Sequence, residues 1–241
     1  MISVRTKLYF SMENLILQQF FVFTFPERHD KMCPYPYFSF LRGHMMDSNF
    51  FALISRMRYI ARWGLMRNAL PENIQEHSHM VAVLAHALGV IRRDIFHQPC
   101  DVNALATAAL YHDASEILTG DLPTPIKYHN AEIMSAYHAV EDLAVQKLLG
   151  MLPPELRETY ADVLAEDKDG DIYPLVKAAD KLSAYIKCIE ERKAGNNEFL
   201  SAEAQTRAAL EASPLPEVQY FLEHFIPAFE RDLDELGAIG Q

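Results

Sequence analysis

Cysteine is scarce in the 241-residue chain: Cys33, Cys100 and Cys188, an odd number with no CxxC pair. That excludes a disulfide framework and a cysteine-type zinc site, and fits a reducing cytoplasm. Glycine is sparse as well, at nine residues, too few for a turn-rich β fold. No GxxxxGK[ST] or GxGxxG loop is present to cradle phosphate, and no serine or cysteine carries a nucleophile signature. Basic residues are outnumbered, 22 against 33 acidic ones, for a formal net charge of −11. Such a balance argues against coating a nucleic-acid polymer or an anionic membrane. Long apolar runs are missing too. The stretch from Leu8 to Phe25 is interrupted by Glu13, Asn14, Gln18 and Gln19. A spanning helix needs about 20 predominantly apolar residues, and a signal peptide needs a clean apolar core before its cleavage site.

The first 45 residues differ from the rest. Residues 1–44 hold five basic and three acidic residues, a net +2, which leaves −13 for the remainder. They also carry ten of the 26 aromatic residues. From Cys33 to Gly43 the run CPYPYFSFLRG has no helical period. Residues 1–45 are therefore expected to form an extension outside the core, with Met45 or Met46 able to serve as the true start.

From Met46 onward the spacing is helical, and the expected fold is a single all-α domain over 46–241. Phe50, Phe51, Ile54, Met57 and Ile60 predict one helix, and Val81, Leu84, Leu88 and Ile91 a second. Leu105, Ala108, Ala109 and His112 share a face of a third. Further helices are expected near 131–149, 155–166, 173–193 (ending at Gly195), 197–212 and 215–235. Prolines 71, 99, 123, 125, 153, 174 and 214 fall between these segments.

Chemistry concentrates in four residues. His77 continues the stripe of Val81 and Leu84, His112 lies on that of Leu105, Ala108 and Ala109, and Asp113 is turned about 100° to its side. Asp180 neighbours Val176, Ala179, Ser183 and Ala184. Polar groups beside core-facing stripes must be satisfied, and one cation would satisfy all four. Taken singly, each has a plainer reading: a hydrogen-bonded core histidine, a chance His-Asp pair, or an Asp paired with Lys177 or Lys181.

The surrounding words are Glu72-Asn73-Ile74-Gln75-Glu76-His77-Ser78, then Ala108 through Glu116 running into Leu118-Thr119-Gly120-Asp121-Leu122-Pro123-Thr124-Pro125, then Leu175 through Leu182. In this order they resemble the H…HD…D pattern of the HD-domain phosphohydrolases. The HDASE–LTGDLPTP run, with Arg62-Trp63 and Gly195-Asn196-Asn197-Glu198-Phe199, resembles the bacterial YfbR-like 5′-deoxynucleotidases over nearly all of the chain beyond residue 46.

The resemblance implies an HD-type helical bundle and an enzyme. It would release phosphate from deoxyribonucleoside 5′-monophosphates using one divalent cation (Co, Mn, Fe or Zn) and an activated water. His77, His112, Asp113 and Asp180 would hold the metal, with Asp113 and Asp180 also bordering the substrate. Arg62 would grip the phosphate, in a basic island of Arg56, Arg58, Arg62 and Arg67 that contains no acid. Glu116, three residues past Asp113, either handles a proton or is an ordinary exposed helix carboxylate. Trp63 either walls the deoxyribose, leaving a 2′-hydroxyl without a partner, or anchors the core. Asp121, Leu122, Pro123 and Thr124 either close over the nucleoside or form a stiff connector, with Asp121 able to accept from the 3′-hydroxyl. His79, His86, His97, His129, His138 and His224 lie outside the expected site, and relatives' dimers imply a homodimer. Two alternatives stand beside this reading. One is the same metal site acting on a dNTP, a cyclic nucleotide or an alarmone; the other is a helical metal-binding interaction module without catalysis.

Overall fold

The first long helix is set by its own start signal. Asn73 accepts from Glu76 N at 3.0 Å and Glu76 accepts from Asn73 N at 3.4 Å, a reciprocal cap on two otherwise orphaned amides. In the computed structural model the described residues are 48–127, 129–165 and 170–237, without the side chains of Thr124 and Pro125. They belong to one compact unit, Ser48–Gln241. The expectation for residues 1–45 lies outside them.

The helices are α1 (Phe50–Ile54), α2 (Ile74–Val90), α3 (Val102–Tyr111), α4 (Glu116–Thr119), α5 (Thr124–Lys127), α6 (Ala131–Gly150), α7 (Pro154–Leu164), α8 (Tyr173–Lys193), α9 (Leu200–Glu211), α10 (Pro216–His224) and α11 (Ile226–Phe229). No strand is found among the described residues, so the all-α expectation holds. Asp101 caps α3 through the Asn103 and Ala104 amides, and Asn130 caps α6 through Ile133.

α2, α3 and α8 pack on one another, and α9 covers α8. Val81, Leu84, Ala85 and Leu88 of α2 meet Leu105 and Ala109 of α3 and Leu175, Ala179, Leu182, Ile186 and Ile189 of α8 in one buried cluster. A smaller cluster joins Phe50 and Ala114 to Leu148, Leu149, Leu152 and Leu164. Those two clusters supply the hydrophobic driving force and hold the three site-bearing helices at fixed separation.

Several boundaries differ from the spacing-based expectation. The first helix tightens to a 3₁₀ turn over Ser55–Tyr59, and Ile60 is extended. The helix expected over 197–212 starts with a 3₁₀ turn, Asn197–Phe199, and that over 155–166 ends at Leu164. The helix expected over 215–235 stops at His224 and resumes as α11, because Pro227 cannot donate into an unbroken ladder. Pro174 sits inside the first turn of α8, where its missing N–H is not needed. Gly195, at φ +83°, lies just beyond α8, as expected of a glycine that ends a helix. No helix among the described residues is long and apolar enough to cross a membrane.

Candidate metal and phosphate site

Two imidazoles meet where α2 and α3 pack. His77 is fully buried, and its ring stands 5.3 Å from that of His112. His112 caps α3 and its Nδ1–H donates to Ala109 O at 2.7 Å. With the proton on Nδ1, Nε2 is a bare lone pair. The His77 ring is held from the same side, Nδ1 lying 3.2 Å from the Ser183 hydroxyl on α8.

Carboxylates face both Nε2 atoms. His77 Nε2 lies 3.1 Å from Asp180 Oδ1 and 3.5 Å from Asp113 Oδ2, and His112 Nε2 lies 3.2 Å from Asp113 Oδ2. Both Nε2 atoms are buried and neither makes an aligned hydrogen bond. An imidazole Nε2 facing a carboxylate oxygen is favourable only where a proton or a metal cation lies between them. His77, His112 and Asp180 each present a ligand atom within 4.8 Å of the others. Two imidazole nitrogens with carboxylate oxygens suit a divalent transition ion better than calcium, so the residues present fit such a metal. Burial opposes ionisation of Asp113 and Asp180. Even so, His112, His77 and Arg62 hold Asp113 below the usual carboxylate range, and His77, His112 and Arg62 do the same for Asp180.

Arg62 and Trp63 are stitched to the start of α2. Arg62 N donates to Glu72 O and Ile74 N to Ile60 O, both at 3.0 Å, around an antiparallel bridge between Ala61 and Asn73. The Arg62 side chain donates from Nε to Glu72 Oε2 at 3.2 Å and from Nη1 to Asp113 Oδ2 at 3.4 Å. Burial alone would lower its pKa, but Asp113, Asp180, Glu72 and Asp121 raise it above the usual value. Trp63 turns the chain at φ +58°, a left-handed conformation costing a bulky residue roughly 1–2 kcal/mol. Its carbonyl accepts from Met66 N at 2.9 Å and its Nε1 donates to Glu72 Oε2 at 3.1 Å. The indole stands 5.2 Å from the buried Phe199 ring, a contact that fits the anchoring reading of this residue. Arg56 and Arg58 are exposed.

The HD word does not continue α3. That helix stops at Tyr111, a tight turn follows in which Glu116 N donates to Asp113 O at 3.0 Å, and Glu116 opens a separate helix, α4. Asp113 and Glu116 therefore do not share an edge of one helix, and Glu116 is 6% exposed rather than an ordinary surface carboxylate. Its Oε2 is buried without a partner. Burial, then the neighbouring charges of Asp113 and Asp121, push its carboxyl up to about 9 against the pull of Lys127 and Arg62. Gly120, at φ +74°, ends α4 and turns the chain into Asp121, Leu122 and Pro123, all half-buried. Burial raises the Asp121 carboxyl too. Thr124 begins α5; its side chain lies outside the described residues, so its contacts are not part of this geometry.

Glu72, Ser183, Lys187 and Glu191 were not anticipated. Asp180, Ser183, Lys187 and Glu191 fall at helical intervals of three, four and four along α8. Glu191 is fully buried and accepts from Ala69 N at 2.8 Å, Leu70 N at 3.0 Å and Asn196 Nδ2 at 2.7 Å, and Lys187 Nζ reaches both Glu191 and Leu70 O. Polar residues recurring on an apolar stripe were the signal that could have found Ser183, Lys187 and Glu191. Burial raises the Glu191 carboxyl, but its hydrogen bonds from Lys187, Leu70, Asn196 and Ala69 outweigh that and hold it down to about 2. The stabilisation is thus complete above the unfolded value of 4.5 and is lost as pH falls toward about 2. Glu191→Ala takes the carboxylate partner from the buried Lys187 ammonium and the acceptor from the Ala69 and Leu70 N–H groups, and is expected to lower stability by about 3–5 kcal/mol in denaturant titration at neutral pH. A midpoint within error of wild type would contradict this.

The fold and the His/Asp corner define an HD-type phosphohydrolase. The chain is similar to an HD-domain phosphohydrolase from Listeria innocua at 26% identity and TM-score 0.67, covering 75% of this chain and 88% of that one. It shares its fold with the PH0347 protein of Pyrococcus horikoshii, at 21% identity and TM-score 0.58 over 76% of this chain and 98% of that one. The model of the 5′-deoxynucleotidase YfbR-like family matches residues 49–229. Curated 5′-deoxynucleotidases YfbR of Shigella boydii and Escherichia coli are each 50% identical over 194 residues, 80% of this chain and 98% of theirs. The chain belongs to the 5′-deoxynucleotidase YfbR-like family.

Proposed function

We infer that the protein is a 5′-deoxynucleotidase, hydrolysing deoxyribonucleoside 5′-monophosphates to deoxynucleoside and phosphate with one divalent cation. One juxtaposition carries the reading. Arg62 Nη1 lies 3.4 Å from Asp113 Oδ2, which itself lies 3.2 and 3.5 Å from two imidazole Nε2 atoms. A phosphate grip and a metal corner therefore share one carboxylate.

His77, His112, Asp113 and Asp180 would hold the ion, of the Mn, Co, Fe or Zn class. When bound it supplies Lewis acidity toward water and toward the phosphoryl oxygens. Arg62 orients the phosphate: Glu72 and Asp113 occupy Nε and Nη1, and Nη2 has no hydrogen-bond partner among the described residues. Asp113 and Asp180 border the phosphate and, as ionised carboxylates, would hold the ion rather than the phosphate oxygens. Glu116, neutral below about pH 9, would give its carboxyl proton to the 5′-oxygen as the P–O bond breaks, while the water oxygen joins phosphorus carrying its protons into the phosphate product, which returns one to Glu116. Trp63 packs against the sugar, Asp121 accepts from the 3′-hydroxyl, and Leu122, Pro123 and Thr124 cover the nucleoside.

Residues 46–241 form the catalytic domain in this reading. The setting is cytoplasmic, in keeping with Cys100 and Cys188 as free thiols. The protein forms a homodimer, for which exposed Ile133, Val140 and Leu143 along α6 provide an apolar stripe.

Phosphate release from paired dNMPs, NMPs and dNTPs by metal-loaded protein tests the activity. Monophosphates are expected to be cleaved and triphosphates spared. The deoxy form should be preferred by about tenfold or more, the usual discrimination against a buried hydroxyl without a partner. Equal rates on dAMP and AMP would remove the sugar preference, faster cleavage of a dNTP would reassign the substrate, and no cleavage at all would favour a non-catalytic module.

A further inference from the structure

We propose that Glu72 is a positioning residue that enforces deoxyribose selection by capturing the one polar atom of the Trp63 ring. The inference rests on reading Trp63 as the wall of the sugar pocket. A single carboxylate oxygen, Glu72 Oε2, accepts from Arg62 Nε at 3.2 Å and from Trp63 Nε1 at 3.1 Å. The Arg62 and Glu72 side chains are 13% and 15% exposed. The Glu72 carbonyl also accepts the Arg62 backbone N–H at 3.0 Å. Phosphate grip and sugar wall are thus fixed by one residue, next to the cap that starts the His77 helix.

Indole carries a single hydrogen-bonding group, the Nε1–H donor. Committed to Glu72, it is withdrawn from any ligand, and the ring presents carbon alone to the sugar. A 2′-hydroxyl pressed against carbon loses its water and gains no partner. Released from Glu72, the same N–H is a donor that a 2′-hydroxyl can use, and the ring loses the contact that sets its tilt. Glu72 therefore acts on discrimination through Trp63, and on phosphate through the orientation of Arg62, without touching substrate.

The test uses Glu72→Met, which preserves bulk but removes the acceptor, and Glu72→Gln, whose amide oxygen still accepts from Nε1. Glu72→Met is expected to lower the dAMP:AMP ratio of kcat/KM by about tenfold, with AMP KM falling relative to dAMP KM, and Glu72→Gln to restore it. In a Trp63→Phe background Glu72→Met should leave the ratio unchanged, since the atom it frees is gone. A purely structural role would depress both substrates alike and leave the ratio where it was.

Trp63 is the only tryptophan of the chain, so ¹⁵N-tryptophan labelling gives a single indole N–H resonance. In the wild type that proton should be protected from solvent exchange and unmoved by a bound deoxynucleoside. This second reading stands even if Glu72→Met does not fold. A solvent-rate indole exchange in wild type, or a folded Glu72→Met chain with the wild-type ratio, overturns the proposal. Wild-type protein that cleaves neither nucleotide would instead refute the phosphatase reading, leaving the exchange measurement to judge the indole bond by itself.

Discussion

An Asp180→Ala chain is expected to fold, to retain little of the divalent ion, and to release phosphate from dAMP about a thousandfold more slowly than wild type. The size follows from the several kcal/mol that a Lewis acid contributes to a phosphoryl transition state, each ~1.4 kcal/mol being a factor of ten. Asp180 sits on α8 while the other three proposed ligands come from α2 and the end of α3, so its loss opens one side of the corner without touching the helix junction. Chelation of wild-type protein should reproduce the loss, and added Mn, Co or Zn should reverse it. Metal-loaded wild type should also melt at a higher temperature than the chelated form, because an ion that binds only the folded state adds its binding free energy to stability. Metal content, phosphate release and the melting shift are three independent readouts. An Asp180→Ala protein that keeps full metal and activity within tenfold of wild type would remove the metal corner from the mechanism.

Glu116→Gln is expected to cut kcat by about 10²–10⁴-fold, the usual contribution of a positioned proton donor, with dAMP KM and metal content close to wild type. Glutamine matches the neutral carboxyl in shape but has no acidic proton. In wild type, burial with Asp113 and Asp121 nearby keeps Glu116 protonated up to about 9, so the activity that depends on it should persist through neutral pH and fall as pH rises past about 9. The same shift affects stability. Between the unfolded value of 4.5 and about 9 the folded chain holds a proton that the unfolded chain releases, so stability falls as pH rises across that window. Glu116→Gln lacks that slope, and its melting temperature should gain on that of wild type as pH rises through the window. A variant slower by less than tenfold, or one whose melting temperature tracks wild type at every pH, would reduce Glu116 to a structural carboxyl.

Helical period made the fold legible, because α2, α3 and α8 each carry an apolar stripe long enough to be read in isolation. His77, His112 and Asp180 were legible for the same reason: each is a polar residue where the stripe calls for an apolar one. The break between Tyr111 and Glu116 was not. Nothing in His-Asp-Ala-Ser opposes a helix: His112 bonds back locally to Ala109, but the burial of Ala114 in one cluster with Phe50 and Leu148 brings together distant segments. Glu72 was hidden differently. It stands in the quoted word before His77, but its partners, ten and nine positions away, meet it only through the antiparallel bridge at Ala61 and Asn73. Thr124 remains an expectation from the loop sequence alone.

The stripe along α8 has a thermodynamic consequence. Asp180 and Ser183 act on the metal corner, while Lys187 and Glu191 fasten the segment that follows Trp63. A single rigid rod thereby joins the two halves of the pocket. Linkage through such a rod is reciprocal: loading the ion should slow amide exchange at Ala69 and Leu70, and loosening Glu191 should weaken the ion by the same factor.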